Sequence, residues 1–135
     1  MSLFKVFNVS GSAVSAQSQR LNVVASNLAN ADAVAGPDGK PYNARQVIFQ
    51  TQPVDADPSS AGVRVAQVTE DNAAPRRIHD PSHPLADEQG FVTMSNVNVV
   101  EEMVNMISAS RSYQTNIDVM NTAKTLLQKT LQLGS

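Results

Sequence analysis

Residues 98–133 read NVVEEMVNMISASRSYQTNIDVMNTAKTLLQKTLQL, and this stretch decides the fold. Met103, Met106, Ser110, Tyr113, Ile117, Met120, Lys124, Leu127 and Leu131 recur at alternating steps of three and four, the spacing of a coiled-coil seam. Val100, Val104, Ile107, Ala123 and Leu126 lie beside that seam and widen the apolar stripe beyond what one partner helix covers. Asn98 fits an N-cap with Glu101 three residues on, Glu102 adds a second carboxylate to the first turn, Lys124 and Lys129 sit toward the far end, and Gly134 closes it. The pattern predicts a helix over 98–133, about 54 Å long at 1.5 Å per residue.

The other end of the chain repeats the pattern. Phe4, Phe7, Gly11, Val14, Ser18, Leu21, Ala25 and Leu28 again alternate by three and four. One register carries the large residues Phe7, Val14, Leu21 and Leu28, and the other carries Gly11, Ser18 and Ala25, which let a partner helix approach closely. Asn27, Asn30 and Gly36-Pro37 supply stop signals, so the expected helix runs from 3 to 30, about 42 Å. Between the helices, residues 33–95 hold all 7 prolines and four of the 6 glycines, which excludes a long helix there. Strand-like runs at 45–51, 62–68, 76–79 and 91–94 predict a small β insert, with 53–61 and 69–75 as flexible spans. The fold class expected is α+β: long terminal helices packed as a coiled coil around a β-rich insert, with divisions at 1–32, 33–95 and 96–135.

Composition narrows the function. The chain has 135 residues with 10 basic and 12 acidic side chains, a net charge of −2. No basic patch exceeds Arg76-Arg77, which argues against nucleic acid as a partner. Cysteine is absent, so disulfides, thiolate metal sites and cysteine nucleophiles are excluded. Asn, Gln, Ser and Thr together number 42, a surface able to pack on copies of itself with little desolvation of ions. No apolar run is long enough for a membrane-spanning helix, and the start of the chain lacks the apolar core of a cleaved signal peptide.

Motifs that suggest chemistry fail on inspection. His79 and His83 stand four apart, but Pro81 and Pro84 break the helix that would bring them together, and a zinc site needs three or four ligands. A serine hydrolase lacks its G-x-S-x-G turn. Gly36-Pro37-Asp38-Gly39-Lys40 has neither the glycine nor the hydroxyl that a phosphate loop places at positions 34 and 41. Asp55-Ala56-Asp57 is a fragment of a calcium loop without its terminal acid. No catalytic residue, cofactor or metal is therefore expected.

Two longer stretches carry a resemblance. Residues 18–31, SQRLNVVASNLANA, resemble the N-terminal motif of bacterial flagellar rod, hook and filament-junction proteins, and 95–104, SNVNVVEEMV, with 111–116, RSYQTN, resemble their C-terminal motif. Pro41-Tyr42 leading to Val47-Ile48-Phe49, and 80–92, DPSHPLADEQGFV, are similar to the proximal-rod members. Many relatives follow the asparagine motif with a Thr-Pro-Gly-Tyr type turn, whereas here the aromatic is delayed to Tyr42. The resemblance implies a structural subunit of a periplasm-spanning axial tube in the flagellar basal body, exported unfolded by the flagellar type III apparatus without signal cleavage. Implied partners are other copies, other rod proteins and the adaptor between MS ring and export gate at the rod base. Phe7, Val14, Leu21, Leu28, Met103, Met106, Tyr113, Ile117, Met120 and Leu127 are the expected subunit-interface residues. Asn27, Asn30, Asn96, Glu101, Arg111 and Asn116 match the family motifs as polar positions, expected in caps and cross-subunit hydrogen bonds. The competing expectation is a stand-alone helical hairpin that binds a protein ligand.

Overall fold

The computed structural model describes residues 2–56 and 59–134. Helix α1 spans Leu3–Ala29, opened by Ser2, whose Oγ accepts the Lys5 N–H at 3.2 Å. It closes at Asn30, whose N–H and Nδ2 both donate to the Ser26 carbonyl. The last helix, α2, spans Val99–Leu133; Asn98 is its N-cap, with Oδ1 3.1 Å from the Glu101 N–H. Both helices therefore start and stop where the cap chemistry places them.

Between them lie β1 (Arg45–Pro53), β2 (Ala61–Glu70), β3 (Arg77–His79) and β4 (Phe91–Thr93), paired as two separate antiparallel hairpins, β1–β2 and β3–β4. The β1–β2 register slips between Ile48 and Phe49, where Ile48 faces Gln67 and Phe49 faces Val65. This bulge twists the ribbon and lets it lie along α1 rather than stand at the tip of the helical pair. Its contact is close. Ser12 Oγ accepts the Val63 N–H at 3.0 Å, and a Cβ on Gly62 would fall 2.5 Å from that same oxygen, so the approach requires glycine. Lys5 and Asp55 pair at 3.0 Å at the far end of the ribbon.

The helices run antiparallel, since Asn27 meets Glu102 and Leu3 meets Leu126. Their seam departs from the expected one. The buried edge of α2 is Glu102, Ala109 and Ala123, whereas Met103, Ser110, Lys124 and Leu131 of the heptad reading face outward. On α1 the buried residues are Ser10, Ala16, Val24 and Asn27; Phe7, Val14, Leu21 and Leu28 are half-buried and Ala25 is exposed. The cause is steric. Alanines at 109 and 123 bring the two backbones close, and Gly11 still lies against Met120, its Cβ position 3.6 Å from Cε.

The expected flexibility of 69–75 is also corrected. Thr69 and Glu70 belong to β2, the Asp71 N–H donates to the Ala44 carbonyl at 2.7 Å, and Asn96 Nδ2 donates to the carbonyls of Asp71 and Ala73. Of the span 53–61, Pro53 and Ala61 end paired strands, while Asp57 and Pro58 lie outside the described residues. A small core of Ala31, Ala44 and Val97, with Tyr42 packed on it, closes the junction where both helices meet the insert.

Candidate functional site: the asparagine junction and the open face of α2

At the junction Asn27 is fully buried and uses its whole amide. Nδ2 donates to the Arg45 carbonyl (2.8 Å) and to Glu102 Oε2 (3.1 Å); Oδ1 accepts from the Arg45 N–H (2.9 Å) and the Tyr42 hydroxyl (2.8 Å). One side chain thus ties α1 to α2, to the start of β1 and to the loop before it. A buried amide with every donor and acceptor engaged is a strong positional constraint. Burial pushes the Tyr42 phenol above its ordinary 10.0, the carboxylates of Glu102 and Glu70 add to the rise, and the Arg45 guanidinium opposes it. Arg45 also lies 5.8 Å from the centre of the Tyr42 ring.

A second knot holds the end of α1. The Ala31 carbonyl accepts from Ser95 Oγ (2.6 Å) and Arg76 Nη2 (2.9 Å), and Asn96 Oδ1 accepts the Ala44 N–H at 2.6 Å. Asn30 and Asn116 bond to carbonyls four residues earlier in their own helices. Glu101 and Arg111 stand exposed on α2. Asn27 and Asn96 thus spend their amides inside the chain. Tyr42, Ser95 and Glu102 were not singled out as site residues from the sequence. A carboxylate one position off a heptad seam was the available signal for Glu102.

The loop between β3 and β4 is organised by Asp87, whose Oδ1 accepts the N–H groups of Gln89 and Phe91 while Oδ2 pairs with Arg77 at 2.9 Å. Gly90 takes φ +84°, a conformation that favours glycine. His79 packs edge-on to Phe91 at 4.9 Å, and His83 Nδ1 accepts the Leu85 N–H, so the two histidines serve packing and turn geometry. Among the described residues no group of three metal-ligating side chains converges.

The remaining feature is apolar. Val100, Met103, Val104 and Ile107 stand 72%, 54%, 60% and 56% exposed along the first turns of α2. At its other end a cleft of about 320 Å³ opens between Leu3 and Val6 of α1 and Val119, Ala123 and Leu126 of α2. Beyond it α2 outruns α1, leaving Leu131 and Leu133 almost bare. No helix of the described residues is long and apolar enough to cross a membrane. Exposed apolar faces of this kind mark contact sites for protein, membrane or ligand.

Two family models match the two ends of the chain: flagella basal body rod protein over residues 7–37, and flagellar basal body rod FlgEFG protein C-terminal over residues 88–133. Paired terminal helices with these motifs define a flagellar rod component. Along its whole length the chain is 60% identical to the flagellar basal-body rod protein FlgC of Yersinia enterocolitica, covering 99% of both proteins. FlgC of Salmonella typhimurium is 58% identical and that of Buchnera aphidicola subsp. Baizongia pistaciae 40%, with the same coverage. The chain belongs to the FlgC family of flagellar basal-body rod proteins and is a structural subunit of that rod.

Proposed function

We propose that the chain polymerises helically through its terminal helices to form the proximal rod, serving as drive shaft and as wall of the export channel across the periplasm. The observation that carries this reading is the bare apolar face of α2, Val100 to Ile107, with the overhang ending at Leu133. One chain buries only the opposite edge of α2, and head-to-tail contacts between copies and related rod proteins cover the rest. In this reading the half-buried Phe7, Val14, Leu21, Leu28, Met106, Tyr113, Ile117, Met120 and Leu127 tighten as neighbours pack, and exposed Met103 enters the contact directly. Segments 1–32 and 96–135 build the wall, and 33–95 fixes their relative position. The adaptor at the rod base and the type III apparatus are the further partners, with delivery free of signal cleavage. The test is complementation of a rod-deficient strain. Chains carrying Val104→Asp and Ile107→Asp should fold, be exported and fail to enter isolated basal bodies; normal incorporation would defeat the proposal.

A further inference from the structure

His83 joins two proline turns through three hydrogen bonds. Its N–H donates to the Asp80 carbonyl at 3.1 Å and closes the turn Asp80-Pro81-Ser82-His83, while its carbonyl accepts the Ala86 N–H at 3.0 Å and closes the turn His83-Pro84-Leu85-Ala86. Proline at the second position of each presets the backbone for such turns. Pro84 carries no N–H, so the first donor after His83 is that of Leu85, and His83 Nδ1 accepts it at 3.0 Å.

This third bond exists in one protonation state only. A backbone N–H can only donate, so Nδ1 is the bare nitrogen of a neutral imidazole whose proton sits on Nε2. In the imidazolium both ring nitrogens carry protons, and the two N–H groups would face each other. Protonating the ring and closing this bond therefore exclude each other, and by linkage acid opens the bond. Imidazole is the side chain that changes charge between about pH 5 and 8.

The surroundings accept a charged ring. His83 is half-buried. Asp80, Asp87 and Glu88 lie in its own loop, Arg77 and His79 on β3, and Asp38 and Lys40 beside the turn across the neighbouring groove, so carboxylates outnumber fixed cations. Arg77 is spent on Asp87, and His79 is packed edge-on to Phe91. Asp80 Oδ1 accepts the Ser82 hydroxyl at 2.9 Å, a neutral donor, and offers a carboxylate three residues from the ring. Pro84 and Leu85 line that groove of about 430 Å³ together with Gly36, Pro37, Gly39 and Phe91, so the Leu85 bond also sets the shape of its wall.

We infer that His83 is a pH-sensitive latch. Neutral, it pins Leu85 and fixes the groove; protonated, it releases the Leu85 N–H and turns toward the carboxylate of Asp80. The latch belongs to the free chain and stands or falls apart from rod assembly.

Solvent-exchange NMR on the full chain from about pH 7.5 to about pH 5.5, with the His83 ring titrated in the same samples, provides the test. Protection of the Leu85 amide, taken against its intrinsic exchange rate at each pH, should fall about tenfold in step with the ring. Gln89 and Phe91, held by Asp87, should keep theirs over that range. His83→Asn supplies an accepting oxygen that does not titrate, so Leu85 should stay protected throughout, whereas His83→Ala should leave it unprotected throughout. His79→Gln should leave the transition in place. Constant Leu85 protection while the ring titrates, a transition that survives in His83→Asn, or one abolished by His79→Gln would overturn the inference.

Discussion

Asn27 and Glu102, 75 positions apart in sequence, meet with Nδ2 3.1 Å from Oε2, where Asn27 ties α1 to α2 and to the start of β1. The carboxylate is buried with them and opens only on a small cleft beside Arg20 and Arg45. Replacing Asn27 with alanine leaves the Tyr42 hydroxyl, the Arg45 N–H and the carboxylate without this partner. Truncation is expected to cost about 2–4 kcal/mol, measured by urea unfolding, with Glu102→Gln milder because its amide still accepts from Asn27.

Gly62 sits where a Cβ would meet Ser12 Oγ at 2.5 Å and Ser12 Cβ at 3.2 Å. Gly62→Ala should destabilise the chain by about 1–3 kcal/mol. Ser12→Ala removes the nearer clash, so the double variant should lose less than the sum of the singles. A thermal melt of all four proteins measures that coupling.

The Tyr42 phenol ionises above its ordinary 10.0 because of burial first, then Glu102 and Glu70. A folded pKa raised above the unfolded one contributes stability that is whole below pH 10 and lost as pH climbs through the folded value. Absorbance titration of tyrosinate in Tyr113→Phe protein should show a late midpoint, and Asn27→Ala should change it.

Asp87 behaves in the opposite sense. The Phe91 N–H, then the Gln89 N–H and Arg77, hold its carboxyl below the usual 3.8 against some desolvation. The turn is therefore fully supported above that value and loosens as pH falls through the lower, folded one. Amide exchange at Gln89 and Phe91 should accelerate only in that acidic window, and Asp87→Asn should bring the fast exchange to neutral pH.

Both helices were legible from their apolar periodicity and from ends written locally, as Asn98 at the start of α2 and Asn27, Asn30 and Gly36-Pro37 at the stop of α1; the Ser2 cap of α1 was not singled out. The four strands were legible from β-branched runs between prolines. The closest helix contact lies one position off the heptad line, which follows large apolar side chains, while Met106, Tyr113, Ile117, Met120 and Leu127 of that line are half-buried beside it. Ala109 and Ala123 form the true contact edge, and Glu102 reads as an ordinary first-turn carboxylate until Asn27 is found opposite. Ribbon docking on α1 depends on Gly62 meeting Ser12, 50 residues away, for which no local pattern exists. The asparagine motif was recognisable as a motif; its partners Tyr42 and Arg45 were not, since their meeting is set by the path of the 31–44 segment.

The alanine edge of α2 has a mechanical corollary. Methyl-sized side chains bring two rods close but offer few teeth against sliding, so the amide–carboxylate contact at one end acts as a key in a shaft. A twisting load fed into the free tip of α2 would pass the Met120–Gly11 packing and be held hardest at that keyed end, with the length between them acting as a torsion spring.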